Sequence, residues 1–147
     1  MIREAKADEA LKVVSFLKQF EQASQFVKVD VDHASKQFAR LINSGNGVVF
    51  IMENSKGELQ GGIGAIALPD LNCGVMTAVE TFWFVAPEHR GGGMRLMEAF
   101  ERWGKDKGCK RLAMIHLVDS YPDILEKIYI NEGYKLVEKH YVKEVSI

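Results

Sequence analysis

Residues 86–96, APEHRGGGMRL, set three consecutive glycines between a charged stretch and the start of a helical pattern. Glycine in a first helical turn weakens the helix, so a compensating gain is expected there. A helix that begins on bare backbone presents unpaired N–H groups and a partial positive charge. Such groups hold phosphate, and glycines let it approach the main chain with no Cβ in the way. Arg90 adds a fixed positive charge at the lip. The arrangement suits a pyrophosphate. By itself the triple glycine also reads as a flexible turn.

Glu80 is the other residue that stands out. It lies inside VMTAVETFWFV, residues 75–85, a run apolar enough for a central strand buried on both faces. A buried carboxylate costs free energy unless paired or protonated, and burial raises its pKa. A pKa raised toward neutrality suits a general base. The competing readings are a surface-facing position and a structural ion pair. His116, at the end of a later strand, is a second candidate base, although a lone histidine there is more often a hydrogen-bonded structural residue. Glu88 and His89 read as lining or solvent-facing turn residues.

The elements that would position these groups follow from periodicity. Residues 2–4 suggest a short strand. Ala10, Leu11, Val14, Leu17 and Phe20 fall at helical spacing within 7–22. A second helix carries Ala34, Phe38, Leu41 and Ile42 on one face, with Asp32 as its expected cap and NSGNG as its stop. Strands over 47–53 and 59–69 form an expected hairpin, followed by the strand at 75–85. A helix after the glycines buries Leu96, Met97, Phe100 and Trp103, and 109–117 reads as a strand. The last helix, within 120–133, has Ser120 as its expected cap, Pro122 in its first turn and Gly133 as its stop. One or two strands are expected over 134–147. The order is β-α-α-β-β-β-α-β-α-β-β, a mixed α/β fold in a single domain spanning 1–147, with a parallel crossover between residues 75 and 117.

Composition bounds the function. A chain of 147 residues fits one domain with a real core. Its net charge of −1 argues against nucleic acid as the main partner. Cys73 and Cys109 follow no metal spacing, so no metal is expected. The apolar runs fall short of the ~20 residues that span a bilayer, so no membrane partner is expected. With no signal-peptide pattern at Met1, a cytoplasmic location is expected.

Among phosphate-binding turns, a nucleotide-hydrolysing loop needs Gly-Lys-Ser/Thr, which Met94-Arg95 does not supply. A dinucleotide fingerprint needs its glycines spaced differently, after the first strand. FVAPEHRGGGMRLM resembles instead the coenzyme A loop of the Gcn5-related N-acetyltransferases, Arg/Gln-x-x-Gly-x-Gly/Ala, with Arg90, Gly91, Gly92, Gly93, Met94 and Arg95 as the match. Arg95 departs from the pattern. It points away from the pyrophosphate, or pairs with it or with the adenosine 3′-phosphate. A second stretch, ILEKIYINEGYKLVEKHYV, resembles that family's closing segment, with Tyr129 four residues before Gly133. Pro122 stands where the family often has Asn, so that coenzyme contact does not transfer.

The resemblance spans the whole chain and implies acetyl transfer from acetyl-CoA to a primary amine of a small molecule, protein or peptide. It implies that Trp83, Phe84 and Val85 lie along the pantetheine arm on a strand splayed by a bulge, their main chain polarising the thioester. It implies Glu80 as base, directly or through water, and Tyr129 as the acid for the leaving thiolate. The other reading of Tyr129 is a core aromatic beside Leu125 and Ile128. An acceptor wall would include Phe20, Phe26, Phe82 and Tyr141, which read equally as plain core. Pairing of final strands in some members leaves a homodimer open. The alternatives are a coenzyme- or partner-binding module without turnover, and an acyltransferase acting on charged tRNA or a base.

Overall fold

The computed structural model describes residues 1–146. Its elements are β1 (Ile2–Glu4), α1 (Ala10–Lys18), α2 (Val31–Ser44), β2 (Gly47–Glu53), β3 (Leu59–Pro69), β4 (Met76–Val85), α3 (Gly93–Asp106), β5 (Arg111–Ala113) and α4 (Pro122–Asn131). This is the mixed α/β class expected from the sequence. The chain divides into two compact units, Met1–Ile115 and His116–Ile147.

The first unit holds all five strands, in the order β1-β2-β3-β4-β5. The first three pairings are antiparallel and β4 pairs with β5 in parallel, through the α3 crossover. Each sheet face has its own core. Val48, Met52, Ile63, Ala65, Ala78 and Val85 pack with Leu96, Phe100 and Trp103 of α3. On the opposite face, Val49 and Ile51 pack with Ala5 and Val13, joined by Leu17, Phe38, Ile42 and Phe82.

Local chemistry explains the helix bounds. Asp30, not Asp32, caps α2: its Oδ1 accepts the His33 N–H at 3.0 Å. Gly45 ends α2 at φ 79°, in the left-handed region that glycine enters at least cost. α3 can lie close to the sheet because Gly104 has no side chain; a Cβ there would come within 2.5 Å of Leu112 and 3.1 Å of Ala78.

Several expectations are corrected. The first helix is nine residues long, flanked by 3-10 turns at Ala7–Glu9 and Glu21–Ala23. β5 is three residues, not nine. No side chain caps α4; its N-cap is Tyr121, and Pro122 does occupy the first turn. The closing strands are not formed, and residues 134–146 carry no strand. The reason is in the pattern. As a strand, this segment would put Leu136 and Val142 on one face with Glu138 and Glu144, and Val137, Tyr141 and Val145 on the other with three lysines. Neither face offers an apolar stripe to bury. Leu136, Val137, Tyr141, Val142 and Val145 are all exposed.

Candidate active site

The site begins with a register shift. Ile63 pairs with Trp83 and Gly64 with Phe82, but Ala65 pairs with Glu80. Thr81 is therefore an extra residue, a β-bulge in β4. Strand side chains alternate faces, so residues 80 and 83 of a regular strand would point apart. The bulge puts Glu80 and Trp83 on the same face, with Ala65 and Ile63. Phe82 and Phe84 turn to the other. β3 makes room for this with glycines: a Cβ on Gly64 would lie 2.6 Å from the Phe82 ring and 2.7 Å from Thr81 Oγ1. The GGIG stretch thus has a packing role and needs no ligand.

Glu80 is 4% exposed. Its Oε1 accepts the Ile115 N–H at 3.1 Å. Burial pushes the carboxyl up to about 7, against the smaller opposing pull of that hydrogen bond. Among the described residues no ion pair offsets the burial, so the proton is gained or lost near neutrality. Of the three readings open from sequence, the surface position and the ion pair do not fit this geometry.

The bulge also marks where β4 loses a neighbour. The parallel ladder with β5 runs from Thr77↔Arg111 to Val79↔Ala113 and ends there. Beyond Glu80, β4 continues to Val85 paired to β3. Its other edge has no strand beside it among the described residues. Backbone groups on such an edge accept an extended ligand as they would a strand.

β4 leads directly to the glycines. Pro87–Gly92 form a 3-10 turn and α3 starts at Gly93, with Gly92 at its N-cap and no side chain capping it. The Gly93 N–H turns back to the Arg90 carbonyl, so it is not among the groups aimed outward. The three glycines differ. A Cβ on Gly92 would overlap the thioether of Met52, and one on Gly93 would sit at ordinary contact with Val85 and Trp83. A Cβ on Gly91 would meet nothing within 4 Å, and its φ is ordinary. At 92 the neighbour is the flexible end of Met52, and nothing in the fold demands glycine at 91. Arg90 and Arg95 are exposed and Met94 is half-buried. Arg95 lines a cleft of about 340 Å³ with Ile2, Phe50, Glu98, Ala99 and Arg102, on the β1–β2 side of α3. A second cleft, of about 280 Å³, lies between Ile42, Val48 and Trp103. Neither contains Glu80 or Gly91.

Aromatic rings line the face opposite α3. Phe20 stacks on Phe84 at 4.0 Å, Phe16 meets Phe20 edge-on at 5.0 Å, and Phe38 stacks on Phe82 at 5.6 Å. Phe26 is 56% exposed.

In the second unit, Tyr129 is 8% exposed on α4. Its ring packs on Tyr134 at 5.8 Å and on the edge of His116 at 6.3 Å. His116 Nε2 is buried without a hydrogen-bond partner among the described residues. The chain ordering gave no sign of this; only the fold shows it. Tyr141, expected in an acceptor wall, is 93% exposed.

No group of three or more His, Cys, Asp or Glu that could hold a metal occurs among the described residues. Cys73 and Cys109 are free thiols. No helix among these residues is long and apolar enough to cross a membrane.

Comparison with known proteins identifies the family and the fold. The model of the acetyltransferase (GNAT) family matches residues 14–123. The chain belongs to that family. The match includes Glu80 and the glycine turn and stops short of Tyr129. Three solved structures share the fold. One is a ribosomal-protein-alanine N-acetyltransferase from Brucella melitensis biovar Abortus, 17% identical with a TM-score of 0.73, covering 99% of both chains. Another is the aminoglycoside N-acetyltransferase AAC(6')-Iy bound to a CoA bisubstrate analogue, 20% identical with a TM-score of 0.74, covering 100% of this chain and 98% of that one. A transcriptional regulator from Bacillus halodurans is 20% identical with a TM-score of 0.78, covering 99% of both. No curated protein matches significantly in sequence.

Proposed function

We propose that the chain is an N-acetyltransferase that moves an acetyl group from acetyl-CoA to a primary amine. The observation that carries this reading is the half-open strand β4. At the bulge it presents a buried carboxylic acid, beyond it an edge with no strand neighbour, and at its end an uncapped helix start preceded by an unobstructed Gly91. These features suit the thioester's extended arm and its pyrophosphate in the order that the coenzyme itself has them.

Trp83, Phe84 and Val85 supply the edge along the arm, with main-chain N–H groups polarising the thioester carbonyl. Arg90 and the turn through Gly91, Gly92 and Met94 hold the pyrophosphate, with Gly93, its N–H turned back to Arg90, shaping the helix start. Arg95, turned toward Ile2 and Phe50, serves at most the outer phosphate. Glu80, ionised above its raised pKa, takes the ammonium proton directly or through water, so that the free amine attacks the carbonyl carbon. The C–N bond forms, the nitrogen gives up its second proton to solvent, the C–S bond breaks, and Tyr129 gives the departing sulfur its proton and is reprotonated from solvent. Positioning the amine against the thioester supplies much of the remaining rate.

A thiol-release assay tests the reading. Wild-type protein with acetyl-CoA and a mixed panel of amines should release free CoA in proportion to acetylated amine. Coenzyme binding without acetylation of any primary amine would leave a binding module on this fold.

A further inference from the structure

Resting on the reading above, we infer that the amine acceptor is a monoamine with an apolar or aromatic flank, not a polycation. Glycine turn and α3 lie on one face of the sheet, and α1, α2 and their connection on the other. The open edge of β4 runs between them. On this inference the amine comes to that edge from the α1–α2 side, where Phe20 stacks on Phe84, and Glu80, on the α3 face of the strand, reaches it through water past the open edge.

The charges on that side are already engaged. Residues 10–44 contain three carboxylates, Glu21, Asp30 and Asp32. Glu21 is paired with Lys18 at 2.8 Å and accepts the Val29 N–H at 3.0 Å. Asp30 caps α2. Asp32 holds Lys36 at 3.1 Å. Against these three stand Lys12, Lys18, Lys28, Lys36 and Arg40; Lys12 lies 4.0 Å from Glu53, so the segment keeps a small positive excess. Residues 81–85 of β4 add no charge. A ligand carrying several ammonium groups needs uncommitted carboxylates and is repelled by a positive wall. What the wall offers is aromatic: Phe20 over Phe84, and Phe26 more than half exposed in the same connection. The connection is also held in shape. Lys18 donates to the Val29 carbonyl at 3.0 Å, and Ser24 Oγ accepts the Phe26 N–H at 3.1 Å. A pre-shaped apolar wall favours an apolar flank beside the reacting amine.

The test compares two sets of acceptors with the full-length protein at saturating acetyl-CoA. One set is 2-phenylethylamine, isoamylamine and phenylalaninamide; the other is neamine and spermidine. The expected result is a kcat/KM about tenfold or more higher for the best monoamine than for either polycation. Phe26→Ala, a change at an exposed ring, should raise the KM for 2-phenylethylamine by about three- to tenfold and leave the acetyl-CoA-induced melting shift intact. A preferred polycation overturns the inference. So does failure of all three monoamines while acetyl-CoA still raises the melting temperature, or an unchanged KM in Phe26→Ala. Loss of the acetyl-CoA shift in the wild type would instead overturn the acetyltransferase reading itself, and this inference with it.

Discussion

The two halves of β4 are built on different principles. From Met76 to Val79 it is a central strand, paired on both sides and packed under α3 at Ala78. From Phe82 to Val85 it is paired to β3 and keeps its other edge without a strand neighbour. The first half is spent on stability. The second forgoes a ladder that a fully paired strand would have, and it is followed at once by a helix start with no side-chain cap. One inserted residue, Thr81, separates the two and leaves Glu80 at the junction. On the proposed reading, function sits where a regular element is interrupted and its backbone groups are left for a ligand.

The sharpest way to break the comparison is at the junction. Glu80→Gln keeps an oxygen for the Ile115 N–H and removes the base. Turnover should fall by about 10²- to 10⁴-fold, while the acetyl-CoA melting shift persists. An unchanged rate, read by thiol release, would make Glu80 a structural acid only.

The same substitution has a stability signature. Below its ordinary value of 4.5 the Glu80 carboxyl is protonated in both folded and unfolded chains and costs nothing. As pH rises the unfolded chain ionises first, so stability is lost until the folded group ionises too, at about 7. Glu80→Gln should therefore match the wild type near about pH 4 and be more stable by about 3 kcal/mol near about pH 8. Denaturant melts at the two pH values check this; a difference independent of pH would contradict the burial argument. Wild-type kcat/KM should rise through about 7 as the base ionises.

Tyr129→Phe should slow turnover about tenfold or more and change stability by about 1 kcal/mol at most. Full activity would return Tyr129 to the aromatic packing with His116 and Tyr134. The smallest effects separate the adjacent glycines. Gly92→Ala meets the flexible end of the Met52 side chain, which can turn aside, and should cost about 1 kcal/mol or less. Gly91→Ala meets nothing and should be neutral or stabilising by up to about 1 kcal/mol. Thermal melts of the two variants without ligand would show the contrast, and equal losses would mean that Gly91 too is packed.

Much of this was legible in the sequence because its signals are local. The hairpin 47–53 and 59–69 stands at its expected bounds, as do the proline start and glycine stop of the last helix. A lone carboxylate in an apolar run announced Glu80. The bulge was expected from the family resemblance alone and not from the residues themselves: Thr81 is neither Gly nor Pro, and its partners in β3 lie more than 15 residues away. The short β5 was hidden for the same reason, since ladder length is decided by the neighbour. Asp30 and Asp32 both suit an N-cap, and only the path of the preceding chain chooses. The closing segment alternates well enough to suggest strands but divides its apolar residues between two faces.

The most direct measurement is a pair of melting curves, wild type and Gly91→Glu, each with and without acetyl-CoA. A ligand at 100 times its dissociation constant stabilises by about 2.7 kcal/mol, roughly 5–10 °C for a chain of this size. The two proteins should melt alike without ligand, because Gly91 faces open space. The wild type should gain that shift, and the variant, with a carboxylate and a side chain set against the pyrophosphate, should lose it. A shift of equal size in both would contradict the account: the coenzyme would not lie at this turn, and the triple glycine would be a turn and nothing more.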